Sequence, residues 1–181
     1  MVSPAEVSDE ALMLRYQRGD RGAFALLIRR HQSRVYNFML RQLGSALAAD
    51  EMAQQVFLGV VREAARFNYE TPFSTRLFSI ACSLAQKERS RMPARAGQDE
   101  APSSGVSTPP ALEESIERAV GDLPDEQKDV FLLREVADLR FSEIASITQR
   151  TESSVKMQMQ QALQRLRAAL QQFEEYRRAL R

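Results

Sequence analysis

The side chains best suited to contact a ligand lie close together, in a short stretch after residue 149. They include hydroxyls, two cations, several glutamines and one methionine. Lysine, arginine and hydroxyl groups contact phosphates, glutamine pairs in bidentate fashion with adenine, and an apolar side chain can touch the thymine methyl. We therefore predict a DNA-binding surface made of Arg150, Thr151, Ser153, Ser154, Lys156, Met157, Gln158, Gln160 and Gln161.

A helix-turn-helix is the element that could place these side chains. A short helical pattern, "EIASI", is followed by the polar turn "TQRT" and a long amphipathic pattern, with Ser142 and Thr151 as expected N-caps. In a DNA-binding helix-turn-helix, the start of the second helix enters the major groove. The same motif is also an ordinary corner in a small helical bundle, so the motif alone leaves both interpretations open.

Helical periodicity also dominates the first 92 residues. A short opening helix ending at Gly19 is followed by apolar stripes in "RGAFALLIRRHQSRVYNFMLRQL", "ALAADEMAQQVFLGVVREAARF" and "STRLFSIACSLAQKERSR". Asp20 and Ser74 are expected N-caps here, and Asp125 is one further along the chain. The pattern predicts an all-α fold, with about four helices on each side of a break in composition.

The break is the stretch "PARAGQDEAPSSGVSTPP", which is rich in proline, glycine and serine. It cannot bury enough apolar surface to offset its conformational entropy, so we predict a flexible linker. The predicted domains are residues 1–92 and 112–181, joined by a linker at 93–111.

The charge is unevenly distributed although the chain as a whole has a formal net charge of only +1. Residues 1–92 carry 13 basic and 9 acidic side chains, and residues 150–181 carry 7 basic and 3 acidic ones, so each of these parts has a net charge of +4. The two basic parts could bind a polyanion, but solvated helix faces have the same composition.

The sequence gives little support for an enzyme or a metalloprotein. His31, on an apolar helical stripe, and Cys82, in an apolar helix, are the single histidine and cysteine, and both are expected to be packed residues. We find no phosphate loop or nucleophile motif, so no catalytic residue, metal or cofactor is expected. The sequence shows no signal peptide and no apolar run long enough to span a membrane, which predicts a cytoplasmic protein.

Three motifs in order give the chain a resemblance to a known family. The stretches are "DEMAQQVFLGVVREAARF", "PFSTRLFSIACSLAQKERSR" and the long stretch from Asp122 to Leu170. Together they resemble the bacterial sigma factors of the extracytoplasmic-function (ECF) type in the sigma-70 superfamily. The resemblance implies two helical domains that bind RNA polymerase core enzyme and promoter DNA, and an anti-sigma factor is a further partner that the family often has.

The resemblance also implies roles for individual residues. The first motif, matched at Glu51, Gln54 and Gln55, looks like the helix that docks on the β′ clamp of the polymerase. Phe57 in that motif is expected to belong to the core. The second motif looks like the segment that opens and reads the minus-ten element, and its matched contact positions are Arg76, Ser83 and Lys87. These three replace the family's Trp, Asn and Asp.

The third motif looks like the domain that reads the minus-thirty-five element. Gln149 stands where the family has a turn glycine, and Gln158, Gln161 and Leu163 stand where it has arginines. Three fewer phosphate contacts would make the dependence of DNA affinity on salt shallower by about two to three units, at ~0.9 per contact. Two interpretations follow. The chain is a divergent sigma factor whose promoter binding depends on avidity supplied by the polymerase, or it is a sigma-like regulator that acts mainly through protein contacts.

Two other classes fit the helices without the resemblance. A stand-alone helix-turn-helix repressor needs a dimerisation surface, which the tail "LQQFEEYRRALR" could supply. A purely structural helical adaptor needs no DNA contact at all. A gel shift separates these classes, because a repressor binds DNA without polymerase, a sigma factor binds it with core enzyme, and an adaptor does neither.

Overall fold

The computed structural model describes residues 7–68, 70–91 and 112–179, and the side chains of residues 112, 113 and 175–179 are not considered. The predicted linker, residues 93–111, lies outside the described residues, as does the end of the tail. In the described residues we find eight α-helices, one short 3-10 turn at Ala64–Arg66 and no strand, so the all-α prediction is confirmed. The helices are α1 Asp9–Gln17, α2 Arg21–Leu43, α3 Ala46–Glu63, α4 Phe73–Arg91, α5 Leu112–Gly121, α6 Asp125–Glu135, α7 Phe141–Thr148 and α8 Glu152–Ala179.

Several helices begin at the caps that the sequence predicts. The Asp20 carboxylate accepts a hydrogen bond from the Ala23 amide at 3.1 Å, and the Thr151 hydroxyl accepts one from the Ser154 amide at 3.2 Å. Each cap satisfies a backbone N–H that has no partner within its helix. These two predictions are confirmed.

Three other predicted caps are wrong by one or two residues. α4 begins at Phe73, so Ser74 lies in its first turn, and the Phe73 amide donates to the Glu10 carboxylate of α1 at 3.0 Å. α6 begins at Asp125 itself, with Pro124 in the cap position. α7 begins one residue before Ser142, where Glu143 accepts a hydrogen bond from the Arg140 amide at 2.7 Å. In two of the three cases a carboxylate, rather than the expected serine hydroxyl, takes up a free backbone N–H near the start of the helix.

The core of the first four helices forms around aromatic and leucine side chains. Phe38 of α2 and Phe78 of α4 are completely buried and meet edge to face, with ring centroids 5.6 Å apart. Helical periodicity in the sequence of α4 predicts a buried stripe of Leu77, Ile80, Ala81 and Leu84, whereas the structure buries Phe78 and leaves Ile80 and Leu84 half-buried. The stripe is shifted because α4 packs against α1, α2 and α3 together.

His31 is buried, as predicted for a core histidine, and it joins α2 to α1. Its Nε2 lies 2.6 Å from Asp9 Oδ2, and Arg30 donates to the other Asp9 oxygen at 2.7 Å. Burial alone would raise the pKa of the Asp9 carboxyl, but the hydrogen bonds from His31 and Arg30 outweigh burial and lower that pKa below its usual value of 3.8. His31 is therefore a structural residue.

The last four helices form a helix-turn-helix supported by two further helices. α5, α6 and α7 all pack on α8, and the buried side chains at the centre are Leu133, Ile144, Val155 and Met159. Phe131 of α6 is half-buried, although its place in the apolar pattern of that helix predicts burial. In the turn, Gln149 adopts the left-handed conformation with φ of 54°, which a glycine would adopt at lower cost.

Candidate nucleic-acid and polymerase-binding surfaces

The predicted DNA-reading residues at the start of α8 form one polar surface. The hydroxyls of Thr151 and Ser153 lie 3.1 Å apart beside the helix N-terminus, where backbone N–H groups and the helix dipole favour an anion. Met157 is about half exposed, at 49%. Ser154 and Gln158 are half-buried, whereas the remaining residues of the set are exposed: Arg150, Thr151, Ser153, Lys156, Met157, Gln160 and Gln161.

The cations and one glutamine of this surface already have partners within the chain. Lys156 Nζ lies 2.7 Å from Glu152 Oε1, and Arg150 pairs with Glu126 of α6. Gln161 accepts a hydrogen bond from Gln127 at 3.0 Å. Exposed ion pairs such as Lys156–Glu152 contribute only about 0–1 kcal/mol, so a phosphate can replace the carboxylate at low cost.

The α4 residues matched to the minus-ten segment follow one another along the helix, but their surroundings differ. Arg76 is half-buried: its Nη1 donates to the Arg66 carbonyl at 3.3 Å, and its guanidinium lies over the Phe67 ring at 6.0 Å. Lys87 is exposed. Ser83 lines two clefts between α4 and the last helices, so the polar face of α4 at Ser83 borders α7.

The α3 residues matched to the polymerase-docking motif divide between two faces. Glu51 and Gln54 are exposed and three residues apart, so they are neighbours on the helix surface. Gln54 and Phe57 line a cleft of about 500 Å³ between α2 and α3. Gln55 is half-buried and lines a different cleft, of about 600 Å³, beside α4 and α7. Phe57 packs against the core, as the sequence predicts.

A polar cluster that the sequence did not predict joins the two halves of the chain. Asp129 of α6 is buried, and Oδ1 of its carboxylate accepts hydrogen bonds from Gln42 of α2 at 2.7 Å and from Arg89 of α4 at 3.0 Å. Oδ2 accepts a hydrogen bond from Gln86 of α4 at 3.0 Å. The sequence gives no sign of this cluster, because an aspartate beside the apolar stripe of α6 would normally face water. Its partners also lie 40 or more residues away in sequence.

Cys82 lies beside this cluster and is buried. Burial, and then the negative charge of Asp129, raise the pKa of its thiol to about 12. The thiolate is therefore scarce at neutral pH, and Cys82 is a packed side chain, as predicted, and not a nucleophile.

No group of three or more His, Cys, Asp or Glu side chains in residues 7–68, 70–91 and 112–179 is placed to hold a metal ion. Over the same residues, no helix has both the length and the apolar composition that crossing a bilayer requires.

The chain is an all-α protein with a C-terminal helix-turn-helix, an element that many DNA-binding proteins share. Comparison with known proteins identifies its family. Residues 27–91 match the family model for sigma-70 region 2, and residues 113–166 match the model for sigma-70 region 4. The chain belongs to the sigma-70 family and is an RNA polymerase sigma factor of the ECF type, which directs core enzyme to promoters. The resemblance seen in the sequence is thereby confirmed.

Curated relatives match along most of their length. RNA polymerase sigma-H factor of Pseudomonas aeruginosa is 25% identical, over 90% of this chain and 94% of the relative. ECF RNA polymerase sigma-E factor of Haemophilus influenzae is 29% identical, over 78% of this chain and 84% of the relative.

Solved structures show the same fold. CnrH, in complex with the cytosolic domain of CnrY, has a TM-score of 0.73 and 21% identity, covering 90% of this chain and 97% of that one. The sigma factor RpoE of Bartonella quintana, in complex with the anti-sigma factor NepR, has a TM-score of 0.64 and 16% identity, covering 82% and 96%.

Proposed function

We propose that this sigma factor divides promoter recognition between two helical domains, residues 1–92 and 112–181, with 93–111 as the connection. The first domain binds core polymerase through α3 and the minus-ten element through α4. The second binds the minus-thirty-five element through the start of α8. The order of the two family matches along the chain is the observation that carries this proposal.

For polymerase binding, the proposal rests on Glu51 and Gln54. They are exposed and adjacent on α3, next to a cleft that a protruding partner side chain can enter. Gln55 faces the other cleft, so its contribution is smaller and is made through packing.

For DNA binding, the proposal assigns phosphate contacts to the hydroxyls at the start of α8 and to Lys156, and base contacts to Gln158 and Gln160. Arg76, Ser83 and Lys87 are the proposed minus-ten contacts on α4. Glutamine supplies base readout without charge, so DNA affinity depends less on salt in this chain than it would with arginine.

Two further properties belong to the proposal. The chain acts in the cytoplasm as a non-catalytic factor, without metal or cofactor. It also takes an anti-sigma partner, since the two fold neighbours are proteins captured in complexes, one of them with a named anti-sigma factor.

The test is a pull-down of core polymerase with the Glu51→Lys, Gln54→Lys double variant. We expect loss of binding, because two lysines replace an acid and a neutral side chain on the docking face. The matched control is Glu117→Lys with Gln171→Lys, which makes the same charge change at two exposed positions on α5 and α8. Equal retention of both variants by core polymerase would reject the assignment of α3.

A second candidate function, a sigma-like regulator that acts through protein contacts, is favoured by the uncharged residues at Gln158, Gln161 and Leu163. Run-off transcription on genomic DNA with core polymerase separates the two. Defined start sites that depend on the chain support promoter recognition, and polymerase binding without new start sites supports the regulator.

A further inference from the structure

The cleft between α2 and α3 differs from the two clefts beside α4 in the charges that line it. Arginine side chains line both of the clefts beside α4, with Arg62 and Arg76 in one and Arg89 and Arg150 in the other. Among the described residues that line the α2–α3 cleft, Asp50 is the one with a charged side chain. The walls of this cleft therefore carry negative charge and no positive charge.

Two aromatic side chains form the apolar part of the α2–α3 cleft. Tyr36 of α2 and Phe57 of α3 line it together with Ile28 and Ala53. All four side chains are half-buried, so each keeps part of its surface open. Within the described residues, neither Tyr36 nor Phe57 is paired with another ring or with a cation. The π systems of the two rings are therefore not occupied by a partner inside this part of the chain.

The Asp50 carboxylate also lacks an internal partner. It is exposed, and in the part of the chain that the structure describes it forms no hydrogen bond or ion pair. Other exposed acids, such as Glu126 and Glu152, pair with cations of their own chain. Arg29 and Arg34 of α2 are close to the cleft in sequence, but their side chains do not line it. A cation that enters the cleft therefore meets a carboxylate that is not already neutralised.

A carboxylate beside two aromatic rings matches the chemistry of an organic cation. Aromatic faces carry negative charge density and attract ammonium groups, and aromatic sites of this kind recognise substituted ammonium ions. A metal ion is a poorer match, because Ca²⁺ takes about six to eight oxygen ligands and no group of three or more acidic or metal-binding side chains occurs in the described residues. The volume of the cleft, about 500 Å³, lies within the range of roughly 300–1,000 Å³ that small-molecule sites have.

We propose that the cleft of Tyr36, Asp50 and Phe57 is a binding site for a small organic cation of the substituted-ammonium class, whose charged group pairs with Asp50 and packs against the two rings. Binding of the cation does not depend on the roles assigned to individual residues above. Gln54, on the polymerase-docking face of α3, lines the same cleft. A bound cation therefore hinders the docking of core polymerase, and this consequence rests on the proposed function.

An NMR titration of the nitrogen-labelled full chain with choline chloride tests the site. Amide shifts are expected to change in the two segments that form the cleft, residues 28–37 and 50–57. The neutral isostere of choline, in which a carbon atom replaces the nitrogen, has the same shape and should bind at least about fivefold more weakly, because it lacks the charge that an exposed carboxylate attracts at ~4 Å. Absence of localised shift changes, or equal binding of the two compounds, would overturn the site.

Two variants remove the carboxylate and the ring separately. Asp50→Asn is expected to weaken choline binding about fivefold, and Tyr36→Leu about two- to fivefold. Glu63→Gln is the control for charge, because it removes one exposed acid from the same helix about 20 Å from Asp50, at ~1.5 Å per residue. Tyr36→Phe is the control for the ring, because it removes the hydroxyl alone. Both controls should bind choline as the wild-type chain does.

Circular dichroism checks that each variant keeps its helices. If Tyr36→Leu unfolds, Asp50→Asn and its charge control decide the outcome alone. Folded Asp50→Asn and Tyr36→Leu variants that bind choline as tightly as Glu63→Gln does would overturn the assignment of the cleft.

The second measurement is the retention of the full chain by immobilised core polymerase as choline is added. We expect retention to fall over the choline concentrations that fill the cleft, and to stay constant with the neutral isostere and with sodium chloride at the same ionic strength. Choline binding without loss of retention would leave the site standing and overturn its effect on docking. A chain that core polymerase does not retain even without choline would instead reject the proposed function, while the NMR titration still decides the site.

Discussion

Helices α4 and α8 are similar on their buried sides and differ on their polar sides. Both bury apolar residues at helical spacing, with Leu77 and Ala81 in α4 and Val155 and Met159 in α8. The polar face of α4 is hydrogen-bonded to other helices, through Thr75 to Glu143 of α7 and through Gln86 to Asp129 of α6, although Ser83 and Gln86 remain exposed. At the start of α8, by contrast, Lys156 and Arg150 pair with exposed carboxylates. The two proposed DNA-binding surfaces therefore differ in their surroundings, because the one on α4 borders other helices and the one on α8 makes only weak surface contacts.

The largest expected effect is the loss of stability when a buried side chain of α4 or α8 is truncated. Phe78→Ala removes a completely buried ring and should lower the free energy of unfolding by about 3–5 kcal/mol, and Met159→Ala should lower it by about 2–5 kcal/mol. Chemical denaturation followed by circular dichroism measures both. Leu47→Ala, at a position that is 81% exposed, is the control and should change stability by no more than about 0.5 kcal/mol.

The next largest effect is expected in the base preference of α8, whose polar face carries Gln158. A bidentate pair between Gln158 and a base should contribute about 1–3 kcal/mol of discrimination, so Gln158→Ala should relax the preference at one position of the minus-thirty-five element. Selection of a randomised upstream element by polymerase holoenzyme measures the preference. An unaltered preference would remove Gln158 from the proposed surface, and Gln164→Ala, an exposed position further along α8, serves as the matched substitution.

The smallest effect is expected in the salt dependence of DNA affinity, and it distinguishes a phosphate contact from a base contact on α8. Lys156→Ala should make the slope of log affinity against log salt shallower by about one unit, which is roughly threefold between 50 and 200 mM salt, and should leave base preference unchanged. Titrations of holoenzyme on promoter DNA at several salt concentrations give the slope. An unchanged slope would mean that Lys156 stays with Glu152 and does not reach phosphate.

Particular residues show why some predictions were correct and others were not. Asp20 and Thr151 were predicted as caps correctly because a cap depends on residues three positions away. The prediction that Ser74 caps α4 was wrong because the first amide of that helix, at Phe73, donates to Glu10, which lies 63 residues away. Phe78 was missed because α4 packs against four helices at once, which widens and shifts its buried stripe.

On the candidate surfaces, too, some residues follow from the local sequence and others depend on how the helices pack. Lys156 and the hydroxyls of α8 follow from one contiguous stretch, so the sequence indicates them directly. Gln54 and Gln55 are adjacent in sequence, yet they line different clefts because successive residues of a helix point about 100° apart. Only the packing of α2 and α4 on α3 determines which of them is open to a partner.

The sequence by itself determined the helices, most of their buried faces and the family, because periodicity, caps and motif order are properties of neighbouring residues. The tertiary structure alone decided that Asp129 meets Gln42, Gln86 and Arg89, and that α4 borders α6 and α7. The physical reason is that a buried carboxylate must collect hydrogen-bond donors from whatever helices pack around it, and no local pattern records which helices those are.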